Sequence, residues 1–230
     1  MVVIVNNKKG KLIVIEGACD GIGKTTQYNL LYDKLIKEGY TVIKHHFPSY
    51  NSFHGKPVEK YLSGEFGSIE NLSPYFINSL YANDRACTWY LKLKKEYDDG
   101  KIILLDRYTT SSIIYQASVI TALDKRKQFI DYIVDYEYKK LGIAKPDMVI
   151  FLEAPFDMVT DLRKNRQGYE GNENDIHEKN LTFMKKVYNN AIFVSEYLNW
   201  ITIKCNEEDK MKKVEDIHEE IYKKVKKIIK

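Results

Sequence analysis

The chain has 230 residues, of which 44% are hydrophobic and 30% are charged, and its formal net charge is only +4. These values suit one α/β domain or two small ones, and they argue against a nucleic-acid-binding protein, which would usually carry a strongly basic patch. No apolar run is long enough to span a membrane. The three cysteines are widely separated, so they predict neither a zinc site nor a disulfide framework and indicate a reducing compartment.

Five short apolar runs are the candidate strands, and longer helical patterns lie between them. The runs are continuous rather than alternating, which is typical of parallel strands that are covered on both faces. They cover residues 11–16, 40–45, 101–106, 147–153 and 200–205. This pattern predicts an α/β domain built on a parallel sheet.

Three helices are predicted with defined ends. The first runs from Lys24 to about Glu38. The second begins after Ser73, an N-cap residue followed by proline, and continues to about Asp99. The last is a C-terminal basic helix whose apolar residues recur every three or four positions, which favours packing on the sheet over a membrane surface. Those residues are Met211, Val214, Ile217, Ile221, Val225 and Ile228.

A glycine-rich stretch, EGACDGIGKTT, follows the first predicted strand and opens the first predicted helix. This context and the GKT triplet are the signature of a phosphate-binding loop, although Gly17 stands one place earlier than the usual first glycine. Backbone N–H groups in such a loop attract anions. Lys24 can then reach the β- and γ-phosphates of a nucleotide, and the hydroxyl of Thr25 can bind Mg²⁺.

The third predicted strand ends in a second candidate pair, Asp106 and Arg107. At the end of a buried strand, the carboxylate lies beside the glycine loop and can hold Mg²⁺ directly or through water. The guanidinium of Arg107 can form a bidentate contact with a phosphate. Together with the loop, this pair indicates a phosphotransferase.

With these residues in place, the sequence resembles the thymidylate kinases, a family of P-loop nucleoside monophosphate kinases that phosphorylate dTMP. The resemblance covers about residues 11–205 and rests on EGACDGIGKTTQ, FPSY, LYANDRA, DRYTTSSIIYQ and DIHE, of which the first and fourth together are specific. It implies an α/β, three-layer P-loop NTPase fold with a five-stranded parallel sheet in the order 2-3-1-4-5, flanked by helices. It also implies a single kinase domain over residues 1–230, with a mobile lid at about 163–178.

The resemblance assigns each matching residue to one of the two substrates. The ATP-binding residues that it implies are Gly21, Ile22, Gly23, Lys24, Thr25 and Thr26. The dTMP-binding residues that it implies are Asp20, Phe47, Tyr81, Arg85, Arg107, Ser112, Tyr115, Gln116, His177 and Glu178. In the family's arrangement Tyr81 stacks on thymine, Arg85 donates to its O4, and Tyr115 crowds C2′ and so disfavours ribose. Without the resemblance, Tyr81 reads as a core tyrosine and Arg85 as a surface arginine.

Two departures from the family pattern affect the expected catalytic set. Many members carry arginine where Ser49 stands, and some carry an arginine in the glycine loop where Gly21 stands. A transition-state cation is therefore expected from the lid, where Arg163 and Arg166 are the candidates. The resemblance completes the catalytic set with Lys24, Arg107 and Asp20, while Thr25 and Asp106 stay the candidate ligands of Mg²⁺.

The implied activity is transfer of the γ-phosphoryl group of ATP to dTMP, giving dTDP and ADP in dTTP synthesis. Two other interpretations stay open: a kinase for another deoxynucleotide or a deoxynucleoside, and a nucleotide-binding regulator without turnover. The intact loop lysine and the aspartate–arginine pair argue against the regulator. Because family members are usually homodimers, we expect a homodimer that binds dTMP and ATP. We also expect a cytoplasmic protein that engages neither nucleic acid nor a membrane.

Overall fold

Five parallel strands form the central sheet of the protein, seen in a computed structural model that describes residues 9–18, 21–68, 71–164 and 181–229, without the side chains of 163 and 164. The strands pair in the order β2-β3-β1-β4-β5, and each neighbouring pair is parallel. The predicted fold class and strand order are thus confirmed, with boundaries shifted by one or two residues. The strands are β1 (Lys11–Gly17), β2 (Val42–His46), β3 (Ile102–Asp106), β4 (Met148–Glu153) and β5 (Ile201–Lys204).

Helices cover both faces of this sheet. Two π-helical turns, Trp89–Leu93 and Asp135–Lys140, continue α3 into α4 and extend α6, and a short 3₁₀ turn, Phe53–Gly55, precedes α2. The described α-helices are α1 (Lys24–Lys37), α2 (Lys56–Leu62), α3 (Pro74–Thr88), α4 (Lys94–Asp98), α5 (Thr109–Ala117), α6 (Leu123–Val134), α7 (Phe156–Lys164), α8 (Leu181–Tyr197) and α9 (Val214–Lys226). Among the described segments, no helix combines the length and the apolar content that a bilayer crossing requires.

The prediction for the last helix was wrong at its first residue. Helix α9 begins at Val214, and Met211 instead lies in a two-stranded antiparallel hairpin formed by β6 (Asn206–Glu207) and β7 (Lys210–Met211). Met211 nevertheless packs against the main core. Its side chain therefore continues the apolar spacing of the helix, although its backbone pairs with a strand.

The continuous apolar runs follow from burial of both sheet faces. Successive side chains of a strand point to opposite sides. In β1, Ile13 and Ile15 belong to the core cluster on one side, whereas Leu12 and Val14 belong to the cluster on the other. Because both sides are covered, apolar residues occupy both sets of positions, and the buried charged exception, Glu16, lies near the end of the strand.

Helix α5 is held against α8 by one buried amide. The side-chain nitrogen of Asn190 donates to the carbonyl oxygens of Ile113 at 3.1 Å and Ile114 at 2.7 Å. Asn190 is buried, whereas its neighbour Asn189 is exposed. The pair provides an internal comparison of one residue type in two environments on the same helix.

We expect Asn190→Ala to lower the free energy of unfolding by about 1 to 3 kcal/mol, because it removes two buried hydrogen bonds. Asn189→Ala makes the same change in helix propensity at an exposed site and should alter stability by less than about 0.5 kcal/mol. Urea denaturation of both variants measures the difference. Equal stabilities would show that the amide does not hold α5 in place.

Candidate active site

The glycine loop joins β1 to α1. Packing explains why Gly17, at the end of β1, has no side chain. A methyl group on Gly17 would lie 2.9 Å from Cγ2 of Ile22 and 3.2 Å from Cγ of Lys24. The absence of a side chain at 17 thus lets Lys24 lie back against the end of β1, where it is 6% exposed. Gly23 precedes α1 with a φ of 94°, in the left-handed region that favours glycine.

The register of the sheet places Asp106 next to this loop. Asp106 pairs with Ile15 of β1 on one side and with His46 of β2 on the other. Its Oδ2 lies 3.2 Å from Nδ1 of His46, while its buried Oδ1 has no hydrogen-bond partner among the described residues. One carboxylate oxygen is therefore left for a ligand.

The charge of Asp106 is set by its surroundings. Burial acts to raise the pKa of this carboxyl, but the hydrogen bond from His46 and the positive charges of Lys24 and Arg107 outweigh it. The pKa of Asp106 consequently lies below its ordinary value, and the group is ionised at neutral pH. An ionised, partly unpaired carboxylate beside a phosphate loop fits a ligand of Mg²⁺. Thr25, the second predicted metal ligand, is exposed in the first turn of α1.

Arg107 adopts an unusual backbone conformation. Its φ of 66° lies in the left-handed region, which non-glycine residues seldom occupy and which often marks functional sites. Its backbone N–H donates to the carbonyl oxygen of Ile15 at 3.3 Å, and its guanidinium carbon lies 5.7 Å from the ring centre of Tyr115. Two residues predicted to bind dTMP are thereby brought together.

Arg85 is fully buried rather than exposed, so the surface interpretation of this residue is wrong. Its Nε and Nη2 each donate to one carboxylate oxygen of Glu137 at 2.6 Å, and Nη2 also donates to Oγ of Ser112 at 2.8 Å. Arg85 and Ser112, both predicted to bind dTMP, are thus in direct contact. Glu137 was not predicted, because it stands in the polar run DYEYKK. A signal was present, since Ile130, Ile133 and Glu137 continue one buried stripe of α6.

Further candidate residues line the same region on α3 and α5. The ring of Tyr81 lies edge-on to that of Tyr61 at 6.1 Å. Oε1 of Gln116 is buried without a hydrogen-bond partner among the described residues, and so are both side-chain polar atoms of Asn78. Asn78 precedes Tyr81 by three positions and Arg85 by seven, so the three share one helix face. Sequence reasoning missed Asn78, because a lone asparagine in a helix has no distinctive pattern.

The segment FPSY, residues 47–50, is held by a cluster of polar side chains around Ser49. The Phe47–Pro48 peptide bond is cis, and Phe47 is buried with its ring centre 5.8 Å from that of Tyr108. The N–H and the hydroxyl of Ser49 take part in three hydrogen bonds. Its N–H donates to Oδ2 of Asp84 at 2.8 Å, and its Oγ is 2.9 Å from both Oγ1 of Thr88 and Nε2 of His45. Ser49 is therefore a structural part of the loop and brings no positive charge to it.

Several predicted site residues lie outside the described part of the chain. These are Asp20, Arg166, His177 and Glu178, and for Arg163 the backbone in α7 is described but the side chain is not. Their roles stay predictions. Among the ATP-binding candidates, Gly21 and Thr26 are exposed and Ile22 is buried.

The fold and this site together define a P-loop phosphotransferase, with its phosphate loop and its aspartate–arginine pair at the carboxyl edge of a parallel sheet. The family model for thymidylate kinase matches residues 15–221. A thymidylate kinase of Plasmodium falciparum is 33% identical over 226 residues, which cover 97% of this chain and 93% of that protein. One from Halothermothrix orenii is 31% identical, covering 95% of this chain and 97% of its own.

The solved structure of thymidylate kinase from Candida albicans is similar in fold. It superposes with a TM-score of 0.68 at 22% sequence identity, and the match covers 95% of this chain and 92% of that one. From the family match and the two relatives, the chain belongs to the thymidylate kinase family. The predicted family is thus confirmed.

His45, which contacts Ser49 in this polar cluster, should make the free energy of unfolding depend on pH. Burial, together with the positive charges of Lys92, His46 and His54, lowers the pKa of His45 from 6.5 to about 4. Between these two values the unfolded chain binds a proton that the folded chain does not. Stability from this group is therefore complete above pH 6.5 and is lost as the pH falls from 6.5 to 4.

Between pH 6.5 and 4 we expect the free energy of unfolding to fall less in His45→Asn than in the wild type. The difference between the two decreases should be about 2 kcal/mol, after allowance for the partial exposure of His45. Urea denaturation at pH 7.0, 5.5 and 4.5 measures both proteins under the same conditions. Parallel pH profiles would show that His45 titrates alike in the folded and unfolded states.

Proposed function

We propose that this chain transfers the γ-phosphoryl group of ATP to dTMP, giving ADP and dTDP. Family membership supports this reaction. The observation that carries it is geometric. The N–H of Arg107 donates to the carbonyl oxygen of Ile15 at 3.3 Å, so Arg107 lies beside the strand that leads into the glycine loop. The charges of Arg107 and Lys24, proposed for the acceptor and the donor, also both lower the pKa of Asp106. A reaction between two phosphate groups needs cations for both at one place.

Catalysis then consists mainly of positioning and charge neutralisation. Lys24 neutralises the phosphates of the donor from within the glycine loop. Arg107 aligns the phosphate of the acceptor, and its backbone bond to Ile15 fixes the turn that carries it. Since Ser49 brings no charge, Arg107 carries more of this task than in members with an arginine there. Asp20 and the lid residues Arg163 and Arg166 complete the catalytic set in this proposal.

Asp106 and Thr25 are the residues that would hold Mg²⁺. The unpartnered Oδ1 of Asp106 fits this role. Among the described residues there is no group of three or more His, Cys, Asp or Glu side chains suited to a metal ion. Mg²⁺ in phosphotransferases needs few protein ligands, because it keeps several waters and binds substrate phosphates. When bound, it neutralises the charge on the phosphate oxygens.

The acceptor base and sugar are assigned to α3, α5 and the loop after β2. Tyr81 stacks on thymine and Phe47 walls the base. Arg85, Ser112 and Gln116 supply its hydrogen bonds, in line with the Arg85–Ser112 contact and the unpartnered Oε1 of Gln116. Tyr115 crowds C2′, and Glu178 and His177 approach the 3′-hydroxyl and the base. Residues 1–230 form one kinase domain in this proposal, with a lid at about 163–178.

A substrate panel tests the proposed reaction against its alternatives. A coupled assay with ATP and dTMP, dUMP, dGMP or thymidine should show the highest kcat/KM for dTMP. Faster turnover of another deoxynucleotide, or of thymidine, would assign the chain to a different acceptor. Nucleotide binding without turnover of any acceptor would favour the regulator.

Lys24→Ala should lower kcat by about 100-fold or more, because the variant loses a cation that stabilises the transferring phosphoryl group. The variant should stay folded, as judged by its thermal midpoint. Lys37→Ala, at an exposed position in the last turn of the same helix, is the matched control and should keep wild-type turnover. Wild-type turnover in Lys24→Ala would mean that the loop is not the phosphate site.

We further propose that the protein acts as a cytoplasmic homodimer. Cys87 and Cys205 are free thiols, which fits a reducing compartment. The long helical segment from α3 through the π-helical turn exposes aromatic and aliphatic side chains, and a second copy of this chain can cover them. They are Tyr75, Phe76, Tyr90 and Leu91.

Leu91, 73% exposed, is the most accessible of these side chains. If these exposed side chains form the contact between two copies, Leu91→Glu should convert the dimer to a monomer, because the contact would bury an unpaired charge. Ile36→Glu, at an exposed position of α1, should leave the mass unchanged. Light scattering after size exclusion measures both. A monomeric wild type, or a Leu91→Glu protein that stays dimeric, would contradict the proposal.

A further inference from the structure

The carboxylate of Glu137 is wholly buried, and both of its oxygens accept hydrogen bonds. Its Oε2 accepts hydrogen bonds from Nε of Arg85 at 2.6 Å and from Oγ1 of Thr109 at 2.8 Å, and its Oε1 accepts from Nη2 of Arg85 at 2.6 Å. Glu137 is 0% exposed and Arg85 is 2% exposed. The two charges therefore compensate each other out of contact with water.

The elements that meet at Glu137 each serve the acceptor site. Glu137 itself lies in the π-helical turn that extends α6, and such turns are frequent at functional sites. Arg85 comes from α3, and Thr109 begins α5 two residues after Arg107. One carboxylate thus ties the base-binding helix to the turn that carries the phosphate-binding arginine.

A count of hydrogen-bond donors shows what this pairing leaves for a ligand. A guanidinium has five N–H groups. Glu137 and Ser112 accept three of those of Arg85, and the carbonyl oxygen of Tyr108, at 3.5 Å from Nη1, accepts a fourth. One N–H on Nη1 has no acceptor among the described residues. The bidentate contact prevents the guanidinium from turning, so this donor keeps one direction.

Stability alone does not explain the pair. Replacing a buried ion pair by apolar side chains of similar volume is often neutral or stabilising, because both charges must be removed from water. An unpaired arginine in a site for nucleotides would also bind phosphate groups, for which its guanidinium is well suited. Pairing with Glu137 removes that option and leaves a single oriented donor.

We propose that Glu137 is a positioning residue for base selection, which holds Arg85 so that its remaining N–H meets an oxo group, rather than an amino group, at position 4 of a pyrimidine base. This rests on the proposed binding of the base by Arg85. A 4-oxo group accepts the hydrogen bond. A 4-amino group presents N–H groups to the same donor and leaves it buried without a partner, which is how a polar site rejects an analogue.

Binding measurements with three nucleotides test this role. Isothermal titration calorimetry with dTMP, dUMP and dCMP gives the dissociation constants for the wild type and for Glu137→Gln. The amide keeps the shape of the carboxylate, but it is uncharged and its NH₂ group faces the guanidinium. The preference for dTMP over dCMP should fall by about 10- to 100-fold, the effect of losing one hydrogen bond to a charged group.

Two controls separate positioning from general damage. The ratio of dTMP to dUMP affinity should stay unchanged in Glu137→Gln, because both bases carry the 4-oxo group. Asp135→Asn changes a half-exposed acid of the same π-helical turn, where Asp135 pairs with Lys139, and it should leave all three dissociation constants unchanged. An unaltered preference for dTMP over dCMP in folded Glu137→Gln would overturn the proposal.

A second variant covers the case in which Glu137→Gln does not fold. In Arg85→Met combined with Glu137→Met, the ion pair is replaced by apolar side chains, so the protein should fold and lose the preference for dTMP over dCMP. Retention of the preference would overturn the proposal, and so would a wild type that binds both nucleotides equally. Turnover with ATP is measured in parallel. A wild type that prefers dTMP in binding but transfers no phosphoryl group would refute the proposed reaction and leave the role of Glu137 supported.

Discussion

Three consecutive hydroxyl residues at the start of α5 donate to two buried carboxylates, and this arrangement fixes the position of the helix that carries Ser112 and Tyr115. Thr110 and Ser111 donate to Oε2 of Glu16 at 2.9 and 2.6 Å, and Thr109 donates to Glu137 at 2.8 Å. A negative charge near a helix N-terminus is also favoured by the helix dipole. The two acids come from the end of β1 and from the turn after α6, so α5 is fixed from two sides.

The same arrangement links the two halves of the reaction. Glu16 stands directly before Gly17, where the glycine loop begins, and it also accepts the N–H of Gly17 at 3.1 Å. The other carboxylate holds Arg85. The glycine loop, the helix that carries Ser112, and Arg85, which is proposed to bind the base, are therefore connected by buried hydrogen bonds. Such bonds are costly to break, because a lone buried charge has no water to replace its partner. The geometry is consequently set before a substrate binds, as positioning catalysis requires.

The positive charges of the site fall into two groups, which differ in whether a buried carboxylate compensates them. The positive charges of Lys24 and Arg107 both lower the pKa of Asp106, and both residues are proposed to bind phosphates. The charge of Arg85 is already compensated, so that group can offer direction without net attraction. In the proposed roles, the neutral base is bound by an arginine whose charge Glu137 compensates, and the anionic phosphates are bound by Lys24 and Arg107.

The sequence by itself determined the parallel sheet, the glycine loop and the Asp106–Arg107 pair, because each depends on local pattern: continuous apolar runs, a strand–glycine–helix succession, and polar residues at a strand end. It could not determine that Arg85 is buried, that Glu137 meets it, or that Asn78 is buried on the helix face of Arg85, since burial depends on which helices pack together. Met211 shows the same limit, because its apolar spacing is equally compatible with a helix and with the hairpin it occupies. The tertiary structure alone decided those points, because the contact between Arg85 and Glu137, 52 positions apart, is set by the packing of distant segments. The spacing that continues the buried stripe to Glu137 does not indicate which residue it will meet.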